Sequence, residues 1–181
     1  MSCLTSGYSV DCSTNCSGGL YKFWLASIGD ITSLTFTAGE LTAITMVATK
    51  KFYEFTPYQE TASWVEAGER TNCNTVVTQT LTGVFPCHSQ DVKEAIDELK
   101  ACCCGFVVIH EENNGSRWIW GVPYNLTTGI TDSYVHFPAQ LTAFETTTGT
   151  AINDQNQASV TIVSRGTTLA SPVDALVTIP V

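Results

Sequence analysis

The chain has 181 residues, 44% of them hydrophobic and only 14% charged, with 17 Asp and Glu against 8 Lys and Arg for a net charge of −9. A length of this order with this apolar content supports one domain with a buried core that needs no disulfide help, and the sparse, unclustered Lys and Arg exclude a phosphate-reading nucleic-acid binder. The apolar runs are far too short for a membrane span, and the opening MSCLTSGYSV lacks the basic and apolar regions of a secretory leader, so the expectation is assembly in the cytoplasm.

In chain order, residues about 1–19 form a Ser-, Thr-, Cys- and Gly-rich arm. YKFWLASI (21–28) reads as a strand, and ITSLTFTAG (31–39) and LTAITMV (41–47) as two more around a turn at Gly39. The aromatic-rich KFYEFTPYQETASWVEAGE (51–69) predicts one long or bent strand with its break at Pro57. NTVVTQTLTGVF (74–85) alternates β-favouring residues and predicts a further strand.

The period then changes. In SQDVKEAIDELKACCCG (89–105) the apolar residues Val92, Ala95, Ile96, Leu99 and Cys103 recur at helical spacing. Ser89 is the expected cap, Asp91 and Glu94 suit the positive end of the helix, and Gly105 ends it, giving a helix over about 89–104. FVVIHEE and RWIWGV flank NNGS, a hairpin signal centred on Asn114-Gly115. QLTAFETT and ASVTIVSRG predict an antiparallel pair, and ALVTIPV (175–181) a closing strand at the end of an extended tail over about 166–181. The expected fold is mainly β: an antiparallel sandwich or barrel with one flanking helix, in a single domain over 1–181.

No chemistry-bearing pattern closes. Eight cysteines (Cys3, Cys12, Cys16, Cys73, Cys87 and the triplet Cys102 to Cys104) lack a C-x-x-C pairing, and adjacent helical residues point about 100° apart, so the triplet cannot converge on one ion. Buried free thiols and no metal are the expectation. His88, His110 and His136 are isolated, with no H-E-x-x-H or G-x-S-x-G nearby, so neither a catalytic residue nor a cofactor is assigned. The carboxylate pairs Asp97-Glu98 and Glu111-Glu112 read as solvated faces. Trp118 and Trp120 share one face of their strand and suit packing, or stacking on a saccharide.

Three segments together resemble phage tail tube proteins, in particular small tube-like proteins of phages infecting Bacteroidetes: EAIDELKAC, FVVIHEENNGSRWIWGV and FETTTGTAINDQNQASVTIVSRG. The matching residues are Asn114, Gly115, Arg117, Trp118 and Gly121, then Asp154, Asn156 and Val160 to Val163, and the likeness spans roughly residues 20 to 165. The arm Met1 to Cys16 and the tail Thr167 to Val181 lie outside it. The resemblance implies a structural virion protein without enzymatic activity. It implies a hexameric ring of identical subunits, stacked into a tail tube beside other tail proteins, through which DNA passes unbound, with no membrane partner. Candidate subunit-interface residues are Asn114 and Gly115 at the hairpin and Trp118 and Trp120 as anchors. An acidic lumen would keep DNA from adhering. The alternatives are another head–tail or tail structural protein, or a carbohydrate-binding, adhesin-like sandwich.

Overall fold

The computed structural model describes residues 18–86, 89–128, 137–149 and 156–181. Among the described residues twelve strands and one α-helix follow one another as β1 (Leu20–Ser27), β2 (Ile31–Thr37), β3 (Glu40–Met46), β4 (Tyr53–Phe55), β5 (Ser63–Thr71), β6 (Asn74–Pro86), α1 (Gln90–Ala101), β7 (Phe106–Glu112), β8 (Arg117–Trp120), β9 (Thr127–Thr128), β10 (Gln140–Thr147), β11 (Gln157–Gly166) and β12 (Ser171–Pro172). They form three sheets, ordered β12-β8-β7-β1-β4, β10-β11-β6-β5 and β3-β2-β9. Among the described residues none of these sheets closes into a barrel, so the architecture is the sandwich alternative.

The five-stranded sheet is the shared middle layer. Its strands β1 and β7 are apolar on both faces, which explains why FWLA and FVVI read as continuous apolar runs rather than alternations. Trp24, Ala26, Val107, Ile109 and Ile119 pack on one side against Ile31, Leu34, Phe36 and Leu41 of the three-stranded sheet. Phe23, Leu25, Phe106, Val108 and Trp120 pack on the other against Leu81 and Ile162 of the four-stranded sheet, with Leu99 of α1. Phe23 stacks on Phe55 at 5.3 Å, and both meet Phe85 at 6.1–6.3 Å, so aromatic rings from β1, β4 and β6 tie the two layers together.

The break near Pro57 separates two strands, β4 and β5, rather than bending one. Helix α1 starts as expected, with the Val92 amide donating to Ser89 Oγ at 3.3 Å. It ends at Ala101, short of the expected end near residue 104, because the chain must turn back into β7. The Cys103 amide donates to Ala101 O, the Gly105 amide to Cys102 O, and Gly105 takes φ +87°. Cys102 is half-buried, while Cys73, Cys103 and Cys104 are exposed free thiols, which corrects the expectation that the thiols are buried. Cys3, Cys12, Cys16, Cys87, His88, His136 and Asp154 lie outside the described residues.

The C-terminal segment departs from a strand over 175–181. Asp174 captures the chain in a turn, its Oδ1 accepting from the Leu176 amide at 2.9 Å and its carbonyl from the Val177 amide at 3.0 Å. The irregular run beyond still buries Val177 and Ile179 in the core, and the Phe52 amide donates to Pro180 O at 2.7 Å.

Two glycines with the same backbone conformation separate steric from conformational cost. A Cβ at Gly105 would stand 2.6 Å from Pro138 Cβ and 2.8 Å from Ala139 O, whereas one at Gly115 (φ +88°) meets nothing within 4 Å. Gly115→Ala is expected to cost about 1–2 kcal/mol, the penalty of a left-handed residue. Gly105→Ala adds the clash to that penalty and is expected to cost clearly more, with urea denaturation of the two variants side by side as the measurement.

Candidate assembly surface and the polar seam behind it

Antiparallel pairing of β5 with β6 from Ser63↔Thr82 to Thr71↔Asn74 builds a long hairpin, turned at Asn72 (φ +57°) and Cys73. From Ala67 through Val76 every residue is exposed, so the hairpin projects past the layers that bury its base. At the other side of the sheet β10 pairs only with β11 and is exposed over most of its length. Among the described residues the outer edges of β5 and β10 carry no strand partner. Their unpaired backbone groups are templates for another strand.

Alternation along β6 and β11 sends Leu81, Val160 and Ile162 inward and sets hydroxyls on the outer face. There the cross-strand rows run Ser63–Thr82–Thr161 and Val65–Thr80–Val163, with Ser63 Oγ and Thr82 Oγ1 hydrogen-bonded at 2.8 Å. Glu145 opposite Ser159 and Arg165 opposite Thr78 bring charges of opposite sign to this face. Glu69, opposite Val76, adds a second acid, so the face mixes hydroxyls and valines with two acids and one base.

The four interface candidates from the sequence sit on the β7–β8 hairpin. Asn114 and Gly115 form its turn: Asn114 Nδ2 donates to Glu112 Oε2 at 2.9 Å, Asn114 Oδ1 accepts from the Ser116 amide at 2.7 Å, and Gly115 is exposed. Trp120 is buried and Trp118 half-buried, both directed at the four-stranded sheet, so neither ring lies open as a stacking platform. The structure thus brings the two tryptophans together inside the layers and leaves Asn114 and Gly115 at the surface. Arg117 is held by Glu111, Nε to Oε2 at 2.8 Å.

Sequence reasoning missed a polar seam between the four- and five-stranded sheets. Gln79 and His110 are fully buried there. Trp120 Nε1 donates to His110 Nδ1 at 3.1 Å, and the Trp64 ring lies 4.5 Å from the imidazole. Glu66 Oε1 accepts from Gln79 Nε2 at 2.8 Å and from the Ala170 amide at 2.7 Å. One signal was available: Gln79 occupies an inward position of β6 between Val77 and Leu81. Among the described residues no group of three or more His, Cys, Asp or Glu side chains is arranged to hold a metal ion, and no helix is long and apolar enough to cross a membrane.

No family model matches the chain, nor does any curated protein or solved structure.

Burial pushes the His110 pKa down from 6.5 to about 3. Above pH about 6.5 the imidazole is neutral in folded and unfolded chains alike and contributes nothing to pH dependence. As pH falls toward 3 the unfolded chain takes up a proton that the folded chain refuses, so stability is lost at about 1.4 kcal/mol per pH unit. Comparing wild type with His110→Leu isolates the imidazole from every group common to the two proteins. Urea midpoints measured from pH 7 to 4 are expected to fall more steeply in wild type than in the variant.

Proposed function

We propose that this chain is a structural virion protein, a tail tube subunit that closes into a hexameric ring and stacks with further rings around a DNA conduit. The observation that carries the proposal is the four-stranded sheet, which among the described residues is unpaired at both edges and uncovered on its outer face. Pairing β5 of one copy with β10 of the next is a head-to-tail contact, and such contacts generate rings when the rotation between copies closes. It also removes two edges that would otherwise template aggregation. The sheets of successive copies then join into one continuous wall.

If that wall faces the conduit, its hydroxyls, with Glu69 and Glu145 against Arg165, offer no cluster of cations to grip phosphate. The chain's net charge of −9 repels DNA at longer range. The projecting β5–β6 hairpin extends each copy toward a neighbour, and other tail proteins meet the stack at its ends. The resemblance of residues 20–165 to tail tube proteins of Bacteroidetes phages supports reading this assembly as part of a virion tail built in the host cytoplasm.

Light scattering on the purified protein is expected to give a mass that is a multiple of 19.5 kDa, with rings or tubes in negative stain. Val65 is 56% exposed on the edge strand β5, so Val65→Lys is expected to remain folded and to run as a monomer. A wild-type protein that stays monomeric at high concentration and forms neither rings nor tubes would overturn the proposal.

A further inference from the structure

The polar seam holds more hydrogen-bonding capacity than its protein partners use. Four buried side-chain atoms have no hydrogen-bond partner among the described residues: Trp64 Nε1, Gln79 Oε1, His110 Nε2 and Trp118 Nε1. A ring contact and ladder pairs link the residues that carry them across the interface between the sheets. Trp64 lies against His110, His110 pairs across strands with Trp118, and Gln79 pairs with Glu66, two residues along β5 from Trp64.

The proton positions follow from the contacts. Since His110 Nδ1 accepts from Trp120, the neutral ring carries its proton on Nε2, which is therefore a donor. The Gln79 amide is oriented by Nε2 donating to Glu66, which leaves Oε1 as an acceptor. The seam thus presents three N–H donors and one carbonyl acceptor, and a buried polar group left unpaired keeps its full desolvation penalty.

We propose that this seam is an internal hydration site, in which an ordered water accepts from His110 Nε2–H, donates to Gln79 Oε1, and is completed by an indole N–H of Trp64 or Trp118. Water matches the mixed donor and acceptor set, and internal waters take two to four such partners. An anion would satisfy the N–H groups but would face the Gln79 carbonyl oxygen and the Glu66 carboxylate. A metal cation would face the N–H donors. The water joins β6 to β7 and so bridges the four-stranded sheet to the middle layer. The site is intrachain and independent of ring closure, so its test can fail without touching the assembly proposal.

A density map of the full chain that resolves ordered solvent is expected to show a peak within about 3.2 Å of both His110 Nε2 and Gln79 Oε1. In Gln79→Leu that peak is expected to be lost while the Trp120–His110 contact stays. Should the variant not fold, solid-state 15N spectra of wild type serve instead, with the proton on His110 Nε2 and magnetisation reaching it from water. A map in which His110 and Gln79 bond each other directly, a peak touched only by N–H groups, or an Nε2 that receives no transfer from water would each overturn the site.

Discussion

Everything in this molecule depends on a middle sheet that is buried on both faces. Val107 and Ile109 point to one neighbouring layer and Phe106 and Val108 to the other, so β7 has no solvent side from Phe106 to His110. Each such aliphatic side chain contributes about 1.5–3 kcal/mol when removed from water. Two thin sheets, neither able to bury both of its own faces, are thereby held in register on one shared layer. The irregular C-terminal run belongs to the same design, since Val173, Val177 and Ile179 complete the core on the three-stranded side.

That layering also decides which surfaces remain open. The three-stranded sheet and the C-terminal run cover one side of the middle layer, and the four-stranded sheet covers the other. Helix α1 packs Ile96 on Ala158 and Val160 near the β11 side, which leaves the outer face of β10-β11-β6-β5 bare. The larger apolar residues Leu81, Val160 and Ile162 of that sheet point inward, and what remains outside is Ser and Thr interspersed with Val65 and Val163, together with two edges. Backbone pairing along a strand edge is a contact such a surface can make. The seam of Gln79, His110, Trp64 and Trp118 lies on the inner side of the same sheet, where the Trp64 ring meets His110 of the middle layer.

Much of this was legible in the residues. The single helix showed in the spacing of Val92, Ile96 and Leu99, its cap in Ser89, and the β7–β8 hairpin in Asn114-Gly115. Strand alternation in β6 and β11 marked the inward faces before any contact was known. What escaped was set by tertiary demands. Cys103 fits the helical period but falls in the turn that Gly105 imposes, and 175–181 has strand composition but is bent away by the Asp174 turn. Trp118 and Trp120 share a face as periodicity requires, yet periodicity cannot tell an outward face from an inward one on a sheet buried on both sides. His110 reads as isolated because the Trp64 ring that lies against it comes from β5, far away in sequence.

The central claim is that the edges of β5 and β10 are where copies of this chain meet. Hydrogen–deuterium exchange followed by mass spectrometry, at low and at high protein concentration, tests it most directly. Peptides covering 63–71 and 140–147 are expected to gain protection as concentration rises, while the doubly buried 106–112 stays protected throughout. Edge peptides that exchange at the same rate at every concentration, in a sample where assembly is seen by light scattering, would contradict it.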